Sequence, residues 1–224
     1  MPAGRSGIRD PTPDARHWKR DARAWVSSTA LAIVVAGRAM FARSHRAQEI
    51  AMNPVLSPVN SLSTPTRVSH ELATRLLDGA DALARFARTL TERQWRTVAQ
   101  PDGRTVGIIV HHVAHVYPVE IELAQVVANG GSIAGVTMAD VHQMNARHAK
   151  EFAHVTRDEA LTLLARNAGA AAAAIRALSD EQLAQAAPAS LYDNAPITCQ
   201  FVLEDHAVRH SYHHLATLKT ALGR

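Results

Sequence analysis

Residues 197–222, ITCQFVLEDHAVRHSYHHLATLKTAL, hold four of the chain's 13 histidines: His206, His210, His213 and His214. Read as one helix, positions three and four apart share a face. One such line runs Leu203, Ala207, His210, His214, Leu218, Ala221, so two imidazoles interrupt an otherwise apolar stripe. A core-facing helix carries Leu or Ala at such positions, and a buried polar group without a partner costs about 1–3 kcal/mol. On the residues alone, His210 and His214 are either core histidines hydrogen-bonded to neighbours or ligands of one metal ion.

A second cluster bears on that choice. Residues 105–129, TVGIIVHHVAHVYPVEIELAQVVAN, are again helical in period, with Ile109, His112, Val116, Val119, Leu123 and Val127 as their most apolar line. His112 lies on this line, His115 beside it and His111 on the more polar side. One inward imidazole here, facing two from the last helix, makes a three-histidine site with open coordination positions. That ligand set suits catalytic rather than structural metals, and bundle cores build such sites from facing helices. Spacing leaves two alternatives: His206 and His210 are also an H-x-x-x-H pair, and His115 can replace His112.

The segments WRTVAQPDGRTVGIIVHHVAHVY and HAVRHSYHHLATL together resemble the DinB-like superfamily of metal-binding four-helix bundles. The resemblance runs from about residue 68 to 222. It implies one histidine on the second helix and an H-x-x-x-H pair on the last. The matching positions are His112, in its His112-Val113-Ala114 context, and His210 with His214. It further implies an all-α four-helix bundle with one long crossover between the second and third helices. A divalent metal is implied as cofactor, zinc or nickel before manganese or iron. The implied chemistry is that of thiol-dependent S-transferases and isomerases, in which a small cytosolic thiol attacks an electrophile. A hydrolase using metal-bound hydroxide would use the same ligands, and a helical assembly module would use the metal structurally. Coordination separates these classes, because a structural site closes with a fourth protein ligand such as His213 or His115. Around the three ligands, His115, His213, His206 and Tyr212 are candidates to orient a ligand ring or donate a hydrogen bond. Asn145 is the candidate contact to a small-molecule substrate. Among Glu120, Glu122, Glu204 and Asp205, no spacing selects a base.

The rest of the chain frames these clusters. Its net charge of +4 is uneven: residues 1–51 carry nine Lys/Arg and four Asp/Glu, whereas residues 52–224 carry fifteen and sixteen. The basic excess therefore lies outside the helical part, which argues against a nucleic-acid partner for it. Residues 1–66 read as a poorly structured extension, punctuated by Gly4, Gly7, Pro11 and Pro13 and closed by Pro54, Pro58 and Pro65. Its apolar run, residues 25–36, follows Lys19, Arg20 and Arg23. It reads as a signal-like segment, as a short helix, or as part of a reading frame extended upstream of Met52; it is too short for a membrane span.

The bundle is expected over residues 67–224. A first helix spans 68–90, and Thr105 caps the second, which Pro118 should kink. A short helix over 141–155 lies in the crossover, with His142, His148 and His154 mostly exposed, although Asn145 or His148 could face a substrate. The third helix starts at Thr156 with a Glu159 capping box, and residues 188–196 form a loop. The alanine-rich third helix allows close helix packing, within the bundle or across a homodimer axis. Cys199, the lone cysteine, excludes an intramolecular disulfide and reads as a small buried hydrophobe, which fits a cytoplasmic protein.

Overall fold

A computed structural model describes residues 66–224, so the expectations for the N-terminal extension lie outside the described residues. Helix α1 (Arg67–Arg88) opens on a capping box in which the Thr66 side chain accepts from the Ser69 N–H and the Ser69 hydroxyl accepts from the Thr66 N–H. The same device starts α2 (Glu92–Trp95) at Thr91, α4 (Met138–Glu151) at Thr137, α5 (Arg157–Arg176) at Thr156 and α6 (Asp180–Ala184) at Ser179. Thr105 caps α3 (Val106–Ala128) with a single bond from the Ile108 N–H. Each cap satisfies a backbone donor that the helix leaves unpaired, and is worth about 1 kcal/mol.

The four long helices form a bundle. Helices α1 and α3 each pack against α5 on one side and against the last helix on the other. The core is aliphatic, with Leu72, Leu76, Leu83, Ile109, Leu164, Ile175, Leu203 and Leu218 almost fully enclosed. Ala168, Ala171 and Ala172 of α5 are buried in the same core, so the alanine tract provides close helix packing within the bundle.

Three local features differ from expectation. Residues 188–196 are not a simple loop, because β1 (Ala186–Ala189) pairs antiparallel with β2 (Ala195–Thr198). Between them run a 3-10 turn (Ser190–Tyr192) and then Asp193 and Asn194 at φ 53° and 59°, a left-handed conformation that Asp and Asn tolerate best after glycine. The last helix consequently starts at Cys199, with Thr198 as its cap, rather than at Ile197. Helix α4 begins three residues before the expected 141, because Thr137 and Asp140 supply an N-terminal box there.

The last helix is also not uniform. From α7 (Cys199–Val202) it passes through a π-helical turn (Leu203–Val208) into α8 (Arg209–Ala221). Such turns are rare and occur often at functional sites; this one ends two residues before His210. Leu203, Ala207, His214 and Leu218 are nevertheless all buried, so the inward line read from the sequence survives the π turn.

Pro118 lies within α3 and has no N–H to offer the Ala114 carbonyl one turn back. Asn167 of α5 fills that place, its side-chain amide donating to the Ala114 oxygen at 2.9 Å. The proline defect is thus turned into a tie between α3 and α5, close to the histidines of α3.

Candidate metal centre

Three imidazoles meet between α3 and α8. One ligand nitrogen from each of His112, His210 and His214 lies within 4.8 Å of the other two. The ring centroids of His112 stand 5.2 Å from His210 and 5.5 Å from His214, and those of His210 and His214 are 4.8 Å apart. His112 and His214 are 5% and 8% exposed, and the Nδ1 of each is buried with no hydrogen-bond partner among the described residues. His210 is hydrogen-bonded to a buried neighbour, but the two buried, unpaired nitrogens of His112 and His214 do not fit the hydrogen-bonded-core reading, and an ion would satisfy them.

The electrostatics fit the same use. Burial, followed by the charges of His210 and Arg104, holds His112 far below the ordinary imidazole range. The same causes in the same order lower His214 to about 3. Both rings are therefore neutral at physiological pH, the state in which imidazole binds a metal. Three protein nitrogens converge, and among the described residues no fourth His, Cys, Asp or Glu joins the group. A cation held there keeps open positions, the arrangement of catalytic rather than structural sites.

Sequence spacing did not single out the residue that orients this cluster. Glu120, two turns after His112 on α3, is 7% exposed, and its Oε1 makes a very short contact with Nδ1 of His210. The Nε2 of His210 is thereby left to face an ion, in the carboxylate–histidine–metal pattern that fixes ring orientation. Its signal was a burial contradiction: Glu120 sits beside Tyr117, Ile121 and Ala124, where an unpaired carboxylate is not tolerated. Tyr117 adds a second tie between α3 and α8, its hydroxyl 2.6 Å from Ser211 Oγ in the buried interface.

Of the residues expected to support the ligands, His213 stacks its exposed ring edge-on to His214, with centroids 5.2 Å apart. His206 points elsewhere, to the Tyr192 hydroxyl at 3.1 Å, because the π turn carries it toward the β-hairpin side. Tyr212 is on the α1 face, donating to the Arg75 carbonyl at 3.2 Å with its ring against Gly79. Neither makes a contact with the triad, so the orienting role proposed for them from sequence passes to Glu120. Cys199 is fully buried and its thiol is pushed up to about 11 by burial, in keeping with a core residue rather than a nucleophile.

The burial of α3 also corrects the stripe. Val119, expected on the apolar line, is exposed, whereas His111, expected on the polar side, is 5% exposed. The cause is α4, which lies over that side of α3. His148 of α4, expected to be mostly exposed, is buried with its Nε2 2.8 Å from His111 Nδ1. Its signal was present in the sequence, since Val141, Met144, Asn145 and His148 follow i, i+3, i+4, i+7 spacing along one helical face. His115 takes part in this second group, stacking with His111, and not in the first triad. Asn145, one turn before His148, has its Oδ1 buried and without a partner among the described residues.

Arg104, just before the cap of α3, completes the surroundings. Its Nε and one terminal nitrogen grip both oxygens of Asp102 at 2.6 Å, and its other terminal nitrogen is buried and unpartnered. The guanidinium is close enough for its charge to act on His112, His148 and His214.

Comparison with known proteins is consistent with this geometry. The family model described as the DinB superfamily matches residues 75–218. No curated protein matches the chain. Among solved structures, the chain is similar to YfiT from Bacillus subtilis, described as a probable metal-dependent hydrolase with an unusual four-helix bundle topology. The TM-score is 0.56 at 20% identity, over 77% of this chain and 94% of that one. It is also similar to the mycothiol-dependent maleylpyruvate isomerase, with a TM-score of 0.52 at 14% identity, over 67% of this chain and 60% of that one. At these identities both likenesses are of fold alone.

Proposed function

The chain belongs to the DinB superfamily, and from that premise we propose that it is a metal-dependent enzyme in which His112, His210 and His214 hold a divalent cation that activates a small thiol for attack on an electrophile. The observation that carries this reading is the convergence of three ligand nitrogens within 4.8 Å, two of the rings having a buried nitrogen that nothing else pairs. With a cation held there by His112, His210 and His214, a coordinating thiol would lose its proton, or a bound water would have its pKa lowered toward 7. Imidazole ligands suit zinc, nickel and iron, and zinc or nickel is the first choice.

The chain's own residues supply the rest. Glu120 orients the His210 ring and adds a negative charge behind it. Arg104, fixed by Asp102, offers a buried N–H to an anionic group of the thiol or the electrophile. Asn145 offers an unpaired amide oxygen to a donor on the substrate.

Hydrolysis by a metal-bound hydroxide is the second reading: it would use the same three ligands, and the Oε2 of Glu120, buried and without a partner among the described residues, could serve it as a base. The test is a titration of the cobalt-loaded chain with small thiols. A sulfur-to-cobalt charge-transfer band that is absent in His214→Ala supports the reading. Turnover of esters or amides at an unchanged rate without thiol, with no such band, favours the hydrolase reading.

A further inference from the structure

The second group of imidazoles is not used by the activity proposed above. His111 and His115 are one turn apart on α3, and His148 reaches them from α4. One ligand nitrogen from each lies within 4.8 Å of the other two, the same closeness as in the first triad. Their ring centroids are 5.8 Å apart for His111–His115 and 5.0 Å for His148 with either partner. The first triad spans 4.8–5.5 Å, so the second has nearly the same spread.

A purely structural explanation accounts for part of this. The His111–His148 hydrogen bond at 2.8 Å pairs one nitrogen of each ring. It leaves His148 Nδ1 buried without a partner among the described residues, and it gives no reason for a third imidazole at 5.0 Å. The surroundings are those of a cation site. Glu159 and Glu151 are close enough to act electrostatically on His111 and His115 respectively. An open cavity of about 680 Å³, lined by His111, Glu151, Phe152, Asp158 and Glu159 among others, gives a hydrated cation an acidic route to the rings. Phe152 packs 4.1 Å from the His111 centroid and forms an apolar wall behind them.

We propose that His111, His115 and His148 form a second divalent-cation site, distinct from the first triad and selective for cations that favour imidazole, such as zinc. Two nitrogens at about 2.0–2.1 Å from a tetrahedral ion stand roughly 3.3 Å apart. The His111–His148 pair therefore opens by about half an ångström on loading, and the ring that donated moves its N–H to its other nitrogen, with no net proton released. The two sites share a wall, since the His112 and His148 rings are 5.4 Å apart and edge to face.

The test is zinc stoichiometry of the full chain, stripped, reloaded and dialysed, with content read by elemental analysis. The wild-type chain is expected to hold two zinc ions, and His115→Ala one. His115 is exposed, so its removal leaves the fold intact; His148→Gln, which keeps the volume of the buried ring, should give the same loss. His214→Ala should also hold one ion, and the double variant His115→Ala/His214→Ala none. Equal zinc in wild type and in both His115→Ala and His148→Gln overturns the second site. Loss in those variants, with no change in His214→Ala, supports the second site while overturning the first triad, so the two failures are distinguishable.

Discussion

At the scale of single residues, the cluster is set by burial acting on groups that prefer water. Glu120 is tolerated in the α3–α8 interface because it pairs with His210. Glu120→Gln removes the negative charge behind that ring but keeps its shape, so the first-triad metal should bind about 10–100-fold more weakly, with helix content unchanged. Unaltered affinity in a competition assay against a chelator would contradict that role. The buried imidazoles also predict a pH dependence for the metal-free chain. His112 is held far below its ordinary value, His214 and His148 near 3 and His111 near 4, all chiefly by burial. In the unfolded chain each takes a proton near pH 6.5. Stability from these groups is thus fully present above about pH 6.5 and is lost as the pH falls toward their folded values. A depressed, well-buried imidazole such as His112 or His214 costs about 1.4 kcal/mol per pH unit. Thermal melts of the metal-free chain should fall steadily from pH 6.5 to 5, above the range where ordinary carboxylates titrate; a flat or rising Tm there would contradict the burial. His112, His210 and His214 were legible in the sequence because polar residues on an apolar helical line stand out. Glu120 was not, because it is buried by a partner helix whose placement no local spacing encodes; the spacing of Val141, Met144, Asn145 and His148 marked an inward face of α4, but not the helix that it meets.

At the scale of elements, caps and periodicity were the readable part. Thr105 and Thr156 mark the starts of α3 and α5 in sequence and in structure, since the capping chemistry is local. The β-hairpin and the π turn were not legible. The hairpin is four residues per strand and leans on Ile133 of the crossover, whose N–H donates to the Pro188 carbonyl at 3.0 Å. The π turn leaves the apolar line on either side in phase, so no break in pattern announces it. Pro118 was legible as a defect, but its remedy, Asn167, comes from another helix. Asn167→Ala should therefore destabilise the chain by about 1–3 kcal/mol, by leaving the Ala114 carbonyl unpaired. Pro118→Ala restores an N–H to that carbonyl, so the double variant should lose less than Asn167→Ala alone. Denaturant melts of the four chains give the coupling; strict additivity would mean that Asn167 does not serve the proline defect.

At the scale of the whole molecule, the bundle brings together two helices almost a hundred residues apart in the chain and places a third, α4, against the first of them. Of the small residues of α5 that suggested a homodimer, Ala168, Ala171 and Ala172 are buried in the bundle core, whereas Ala165, Gly169, Ala170 and Ala173 are exposed. No helix among the described residues is long and apolar enough to cross a membrane. The fold therefore acts chiefly as a frame that turns one imidazole of α3 toward two of α8. That frame, and not the individual histidines, sets the rival pair His206/His210 apart: His206 is on the hairpin side, bonded to Tyr192. Metal content of the purified full chain and its single variants tests this most directly. His112→Ala, His210→Ala and His214→Ala should each lose one equivalent relative to the wild-type chain, and His206→Ala none. Full retention in His214→Ala, with loss in His206→Ala, would contradict the account.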